Sequence, residues 1–289
     1  MITLNEFNTL PEAEAYKPLE QCCVSKTWID KMIDSRPFSS ENELITKAAD
    51  IWYNNCTPED YKEAFTGHPK IGDIKSLKEK FSHTQSWAEN EQKGVAGADE
   101  KVIRELTEIN RQYEEKFGYI FIVSASGKTA GEMLTLLKAR ISHTEVDEIA
   151  VAMNEQHKIT VIRLAGLIED LTGKADMRSH ITTHALDTAR GVPAMGMLIA
   201  LKKFYDGLWR PLSFGITNSD GRIPDVLPPG KKLVPDHYMM EFYTEAYFDE
   251  TGQLGFYPEV SVHFTVSGDD HYHIPLLINP FGYSTYRGS

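Results

Sequence analysis

The first 173 residues carry apolar side chains at the spacing of α-helices. Residues 40–43, Ser-Glu-Asn-Glu, have the sequence of a helix capping box, in which serine and glutamate satisfy backbone N–H groups at the helix start. The apolar residues behind it follow a 3.6-residue period: Leu44, Ile45, Ala48, Ile51 and Trp52. This pattern predicts an all-α N-terminal domain over residues 1–173.

Capping residues, proline and glycine mark further helix ends. Thr57-Pro58 predicts a helix start, and Gly67 is placed to end that helix. An apolar stripe over about residues 99–117, followed by Gly118, predicts a longer helix. The apolar run 119–128 fits an extended segment or a buried helix end, since periodicity does not distinguish them. Two more helices are predicted, over about 132–141 and from Thr144, with a second capping box, to about 171.

The pattern changes at residues 171–178, which lose helical periodicity and predict a linker. Beyond it, glycine and proline become frequent, and short runs alternate between apolar and polar residues. The clearest run has its apolar residues on one face of a strand: Val260, Val262, Phe264 and Val266. Other runs at 239–243 and 272–278, with turn sequences at 218–221 and 267–270, predict an all-β sandwich over residues 178–289.

The run from residue 271 to residue 289 joins a strand to polar chemistry. Because side chains alternate along a strand, His271 and His273 share one face, opposite the apolar residues at 272, 274, 276 and 278. The sequence Tyr-Arg-Gly-Ser follows at 286–289. Polar residues at a chain end normally fray into solvent. Their place behind a strongly apolar strand predicts that they are carried onto a surface where they act.

Charge and composition exclude several classes of protein. A formal net charge of −12 argues against nucleic acid or an anionic membrane as partner, because both bind basic surfaces. Cys22, Cys23 and Cys56 do not resemble a disulfide framework and fit a reducing compartment. The sequence has no apolar run of the ~20 residues that span a membrane, and its N-terminus lacks the pattern of a signal peptide. We therefore expect a cytoplasmic protein.

Five sequence blocks occur in order over residues 179–289: ITTHALD, TNSDGR, FYPEV, HYHIPLL and YSTYRGS. Together they resemble the 5-hydroxyisourate hydrolases, which have the transthyretin fold. The resemblance implies a catalytic site with four members: His184, Arg222, His273 and Ser289. It assigns substrate binding to the rest of the terminal tetrapeptide: Tyr286, Arg287 and Gly288. Opening a cyclic ureide with water requires a base and a cation for the developing negative charge, which histidine and arginine supply.

Two other functions remain open for this half of the chain. His271 and His273 lie two residues apart on one strand and could bind zinc together with His184. Neither a cysteine nor a well-spaced acid completes that site, so we expect no metal. Transthyretin itself carries a hormone on this fold, and fold alone does not determine function. A carrier would have an apolar channel where this chain has two histidines and an arginine.

Four more blocks occur in order in the first half: GHPKIGD, NEQKG, KFGYIFIV and EQHKITVIRL. They resemble the all-helical decarboxylases of 2-oxo-4-hydroxy-4-carboxy-5-ureidoimidazoline (OHCU), over about residues 5–170. The resemblance implies His68 and Glu91 as catalytic residues. It implies eight substrate contacts: Pro69, Gln92, Phe121, Ile122, Val123, Ser124, Ala125 and Arg163. Ala88 stands where the family often has serine, so that contact is lost or made by Ser86 or a backbone group.

The two resemblances fit one sequence of reactions. A histidine suits the proton transfer that follows decarboxylation, an arginine suits an anionic substrate, and no cofactor is required if the substrate's ring accepts the electrons. The domain order resembles the bifunctional allantoin synthases. This implies hydrolysis of 5-hydroxyisourate to OHCU, then decarboxylation of OHCU to (S)-allantoin. It also implies that the partners are these small molecules and other copies of the chain, in a homotetramer built through the transthyretin-like domain.

Overall fold

The computed structural model describes residues 1–68, 96–125 and 128–288, without the side chains of 96–99. The described helices of the first part are α1 (Leu4–Thr9), α2 (Glu12–Cys22), α3 (Lys26–Asp34), α4 (Glu41–Asn55), α5 (Pro58–Phe65), α6 (Ala96–Phe117), α7 (Ala130–Ile141), α8 (Glu145–Leu167) and α9 (Leu171–Lys174). Within the described ranges, none of the helices is both long and apolar enough to cross a bilayer.

The starts of α4 and α5 show how the predicted caps work. Helix α5 starts after Thr57 with Pro58 as its first residue, as predicted, and Thr57 and Asp60 also form a complete capping box there. At α4 the Ser40 hydroxyl accepts the Glu43 N–H at 3.2 Å. The Glu43 carboxylate accepts hydrogen bonds from the N–H and hydroxyl of Ser39 instead of closing the box at Ser40. The predicted helix start is confirmed, but its second cap interaction is shifted by one residue.

The segment after α6 is neither helical nor part of a sheet over residues 119–125, which excludes the buried helix end. Gly118 ends α6 with φ of +76°, a left-handed conformation that costs glycine little. The Arg140 guanidinium of α7 donates a hydrogen bond of 2.8 Å to the Ile122 carbonyl. Arg140 is itself buried and paired with Glu148 of α8. The irregular segment is therefore held by buried polar groups of two helices.

The linker predicted from residue 171 is wrong for residues 171–174, which form α9. Helix α8 ends at Leu167, earlier than predicted, because the backbone leaves helical geometry at Ile168. The N–H of Ile2 donates to the Leu167 carbonyl, and the N–H of Glu169 donates to the Ile2 carbonyl, both at 2.9 Å. Leu171 is buried in the helical core, which explains why the chain continues as ordered structure there.

The second part of the chain forms two packed sheets. Its strands are β1 (Ile181–Asp187), β2 (Val192–Pro193), β3 (Leu198–Tyr205), β4 (Leu208–Ile216), β5 (Arg222–Ile223), β6 (Asp236–Phe242), β7 (Val260–Val266), β8 (Tyr272–Asn279) and β9 (Gly282–Thr285). One sheet has the order β2-β1-β8-β9 with β5 also paired to β1, and the other has the order β4-β3-β6-β7. Strands β1 and β8 are parallel.

The sandwich core lies between the sheets and follows the predicted alternation. Tyr272, Ile274, Leu276 and Ile278 are buried in it, and His273 lies on the opposite face of β8, half-buried. Helix α10 (Thr244–Glu250) adds Tyr247 and Phe248 to this core; no sequence pattern predicted it.

The helical part packs against the outer face of the four-stranded sheet. Ala200 and Phe214 of this sheet belong to the helical core. The Asn154 side-chain amide on α8 donates to the Leu212 carbonyl at 2.7 Å. Arg210 of β4 lies 3.1 Å from Asp147 of α8. These contacts cover one sheet of the sandwich, whereas the predicted hydrolase residues lie on the other.

Candidate functional sites

The five-stranded sheet brings the predicted hydrolase residues together. His184 of β1 is the Cα partner of Arg222 on β5, in an antiparallel pair. On the other side of β1, the parallel register pairs Thr182 with His273 of β8. The His184 and His273 ring centroids lie 6.5 Å apart. Because Thr183 and Ala185 are buried in the sandwich, His184 points to the outer face of the sheet.

A chain of hydrogen bonds determines the proton positions on His273. Nδ1 of His271 lies 3.1 Å from the Ser179 carbonyl, which only accepts, so this nitrogen carries a proton. Nε2 of His271 then accepts from the Thr182 hydroxyl at 3.0 Å. The same hydroxyl oxygen accepts from Nδ1 of His273 at 2.9 Å. These hydrogen bonds place the proton of His273 on Nδ1 and leave the lone pair on Nε2. Thr182 was missed in the sequence, although it shares a strand face with His184 two residues on.

Burial and positive charge lower the pKa of both site histidines. For His184 the larger cause is burial, followed by the charge of Arg222. For His273 it is again burial, then Arg222, then the neighbouring histidines. Both effects disfavour the charged imidazolium. The site therefore keeps two neutral imidazoles beside one guanidinium.

The C-terminal segment meets this site through Gly288. The N–H of Gly288 donates to the His273 carbonyl at 3.0 Å. A Cβ atom at position 288 would lie 2.4 Å from Cδ2 of the His273 ring, so a larger residue would displace the ring or the segment. Arg287 lies beside Asp270 and the Tyr272 ring, and Tyr286 is exposed. Ser289 lies outside the described residues.

The zinc alternative is not supported by the geometry of the donors. Within residues 1–68, 96–125 and 128–288, no group of three histidine, cysteine or acidic side chains lies close enough together to hold a metal ion. His271 and His273 instead share the hydroxyl of Thr182.

A second cluster forms where α5 meets α8. His68 follows α5, and its Nε2–H donates to the Gln156 side-chain oxygen at 2.6 Å. An N–H of Arg163 lies 3.3 Å from Nδ1 of the same ring. Since a guanidinium only donates, Nδ1 carries the lone pair and the ring is held as the Nε2–H tautomer. The structure thus brings two predicted residues, His68 and Arg163, together.

Helix α8 holds both partners of His68 in place. The Gln156 amide N–H donates to the Thr160 hydroxyl oxygen at 3.2 Å, which leaves the Gln156 oxygen directed at His68. Arg163 also donates to the carbonyls of Gln21 and Cys22, at 3.3 Å each. Gln156 was missed in the sequence. Its spacing of seven residues from Arg163, two helical turns, was the available signal.

The predicted substrate segment 121–125 lies largely inside the helical domain. Phe121, Ile122, Val123 and Ser124 are buried, and Ala125 is half-buried. The N–H of Ser124 donates to the Glu155 carboxylate at 2.8 Å, and the Ser124 carbonyl accepts from Lys128 at 2.8 Å. The other residues predicted for this site lie outside the described residues: Pro69, Glu91 and Gln92, together with Ser86 and Ala88.

Comparison with known proteins identifies both halves. The profile of the OHCU decarboxylase family matches residues 8–165, and that of the HIUase/Transthyretin family matches residues 181–288. The uric acid degradation bifunctional protein TTL of Arabidopsis thaliana is 32% identical, over 93% of this chain and 96% of its own length. The 5-hydroxyisourate hydrolase of Mus musculus is 44% identical, over 38% of this chain and 96% of its own length.

A crystal structure of (S)-allantoin synthase aligns with 100% of both chains at 25% identity and a TM-score of 0.46, too low to compare domain arrangements. The family profile of the first half covers more than half of the chain, and the Arabidopsis relative is similar along nearly all of it. The chain therefore belongs to the OHCU decarboxylase family, in the bifunctional form in which that domain is fused to a domain of the HIUase/Transthyretin family.

Proposed function

We propose that the chain hydrolyses 5-hydroxyisourate at the His184–Arg222–His273 site and decarboxylates the product, OHCU, at the His68–Arg163 site, giving (S)-allantoin. The observation that carries the proposal is that each site brings a histidine of defined tautomer and an arginine together: His68 with Arg163, and His273 with Arg222, which is paired to the neighbouring His184. A carrier of apolar ligands has no use for neutral imidazoles beside a guanidinium, so the carrier alternative is not favoured.

At the hydrolase site, His273 acts as the base. Its Nε2 lone pair takes a proton from water while the water oxygen attacks the ring carbonyl of 5-hydroxyisourate. Negative charge then develops on the carbonyl oxygen, and Arg222 stabilises it. When the ring C–N bond breaks, the leaving nitrogen takes up a proton from the histidine pair. His184, whose ring centroid lies 6.5 Å from that of His273, would contact the substrate from the other side. In this proposal the terminal tetrapeptide, Tyr286, Arg287, Gly288 and Ser289, would close the site when substrate binds.

The pH dependence of hydrolysis follows from these roles. A base works only when neutral, so activity is lost as the pH falls through its pKa. Because burial and Arg222 lower the pKa values of His273 and His184, we expect the acid limb of kcat/KM below pH 6.5. Replacing Arg222→Gln removes the positive charge, so the acid limb of the residual activity should move to higher pH. Arg222→Lys, which keeps the charge, is the matched control. An acid limb of kcat/KM above pH 6.5 in the wild type would contradict the role of these histidines. A shift of that limb to lower pH in Arg222→Gln would contradict it as well.

At the decarboxylase site, Arg163 binds the substrate carboxylate and His68 handles the proton. Loss of CO₂ leaves an electron pair on the substrate, held by its ring system, and that carbon then takes a proton. Because a neutral imidazole is a poor acid, His68 first takes up a second proton from solvent on Nδ1. It then gives the Nε2 proton, held toward Gln156 before substrate binds, to that carbon and ends as a neutral ring. Glu91 would orient His68 or return its proton. Segment 121–125, Pro69 and Gln92 would complete the pocket and hold the substrate so that the proton reaches only one of its faces.

We also propose that the chain is a cytoplasmic homotetramer, with a domain boundary between residues 173 and 178. Support comes from the open outer face of the five-stranded sheet, where His184 and His273 are only half-buried and Tyr286 and Phe281 are exposed. A second copy placed on this face would exclude water from the site. Light scattering at micromolar concentration should give four times the chain mass of 32.7 kDa. A monomer of that mass would overturn this part of the proposal.

A further inference from the structure

A line of charged side chains joins the two domains next to segment 121–125, the predicted substrate segment of the decarboxylase site. Glu155 of α8, which holds the N–H of Ser124, also lies 2.9 Å from the Lys158 ammonium. That ammonium lies 3.8 Å from the carboxylate of Asp225, in the hydrolase domain. Asp225 follows β5 and comes three residues after Arg222.

The burial of these groups makes the line sensitive to charge. The Glu155 and Lys158 side chains are 5% and 8% exposed, whereas Asp225 is 53% exposed. A buried ammonium is costly unless its charge is balanced. Lys158 has two carboxylates, one on each side, and only one of them belongs to its own domain. The positive charge of Lys158 lowers the pKa of Asp225; burial opposes this effect, and the charge of Lys128 adds to it.

The second cation acts on the same segment. Lys128 donates to the Ser124 carbonyl at 2.8 Å, and its charge also acts on Asp225. The two backbone polar groups of Ser124 are thus held by an anion and a cation, Glu155 and Lys128. Removing the Asp225 charge would leave Glu155 as the only carboxylate partner in these contacts for Lys158. Lys158 contacts one oxygen of the Glu155 carboxylate and the Ser124 N–H contacts the other, so a stronger pull of Lys158 would turn the carboxylate away from Ser124.

We propose that Asp225, a residue of the hydrolase domain, is a positioning residue for the decarboxylase site, acting through Lys158 and Glu155 on Ser124. This rests on the proposed role of segment 121–125 in binding OHCU. Misplacing a binding segment weakens ground state and transition state together, so it raises KM and leaves kcat nearly unchanged. An unfolded fraction of enzyme would instead lower kcat at constant KM.

The test uses the full chain, with OHCU generated from 5-hydroxyisourate by an excess of separate hydrolase. In Asp225→Asn we expect the KM for OHCU to rise about threefold, the effect of losing a partly exposed ion pair, with kcat kept. Asp225→Glu, which keeps the charge, should restore the wild-type KM. Asp249→Asn is the matched control, because it makes the same change at an exposed position of the same domain. In a Lys158→Met background, Asp225→Asn should have no further effect.

The result that overturns the inference is a KM in Asp225→Asn equal to the wild-type value, a loss confined to kcat, or the same rise in Asp249→Asn. Failure of the underlying function is recognised separately: a wild-type chain without decarboxylase activity on OHCU contradicts the site itself, whatever Asp225 does. Hydrolysis of 5-hydroxyisourate by the same variants reports whether the change reaches Arg222. A parallel loss of hydrolysis would show damage to the β5 region and would also overturn the inference.

Discussion

His68→Ala should abolish decarboxylation and leave hydrolysis unchanged. The ring provides the Nε2–H that Gln156 accepts and the Nδ1 lone pair that Arg163 approaches, and alanine provides neither. Removing a positioned proton donor costs roughly two to four orders of magnitude in rate. The measurement is the appearance of optically active allantoin by circular dichroism, with the decay of 5-hydroxyisourate absorbance followed in the same sample.

The hydrolysis signal is the internal control for His68→Ala, because a misfolded chain would lose it. Arg163→Lys provides a second test: it keeps a positive charge but loses the planar pair of donors that reaches both His68 and the Cys22 carbonyl. It should weaken decarboxylation while again sparing hydrolysis. Wild-type decarboxylation in a folded His68→Ala chain would remove this histidine from the mechanism.

His273→Ala should have the reverse effect, with hydrolysis lost and decarboxylation of supplied OHCU kept. Its Nε2 is the proposed base, and its Nδ1 ends the hydrogen-bond chain through Thr182 and His271. We expect a loss of roughly two to four orders of magnitude, measured as the decay of 5-hydroxyisourate corrected for the reaction without enzyme.

The matched control for this change is His263→Ala. His263 is an exposed histidine on β7, in the other sheet, where it packs against Trp209. Its replacement removes the same ring from the same domain without touching the site, so hydrolysis should stay at the wild-type rate. Equal losses in the two variants would mean that the effect comes from the fold of the sandwich and not from His273.

Local sequence signals predicted the elements well where the responsible groups are close in sequence. The start of α5 is fixed by Thr57, Pro58 and Asp60, which lie within four positions of one another. The faces of β8 follow from simple alternation. In contrast, α10 has no side-chain cap hydrogen bond and is stabilised by burying Tyr247 and Phe248 against distant strands. Residues 171–174 are likewise ordered by tertiary burial, which no local pattern records.

The sites show the same limit. Resemblance proposed five of the described site residues: His68, Arg163, His184, Arg222 and His273. The hydrogen-bond partners that define the tautomers of His68 and His273 depend on contacts across long stretches of chain. Gln156 meets His68 across 88 residues, and Thr182 meets His273 across 91 residues through a parallel strand pair. The packing of α8 on the four-stranded sheet was also not predictable. The apolar residues of that sheet alternate as in any strand, and alternation does not show which element covers their face.

In the proposed reaction, two independent sites in one chain act in succession. The most direct measurement adds freshly made 5-hydroxyisourate to His68→Ala, to His273→Ala and to an equal mixture of both, with and without a chelator, and follows absorbance and then circular dichroism. We predict that neither variant alone accelerates both steps, and that the mixture restores rapid formation of optically active allantoin in either buffer. If the mixture forms optically active allantoin no faster than the better single variant, the two sites do not act in succession. If the mixture fails only with chelator, the reaction depends on a metal ion, which the proposed mechanism does not include.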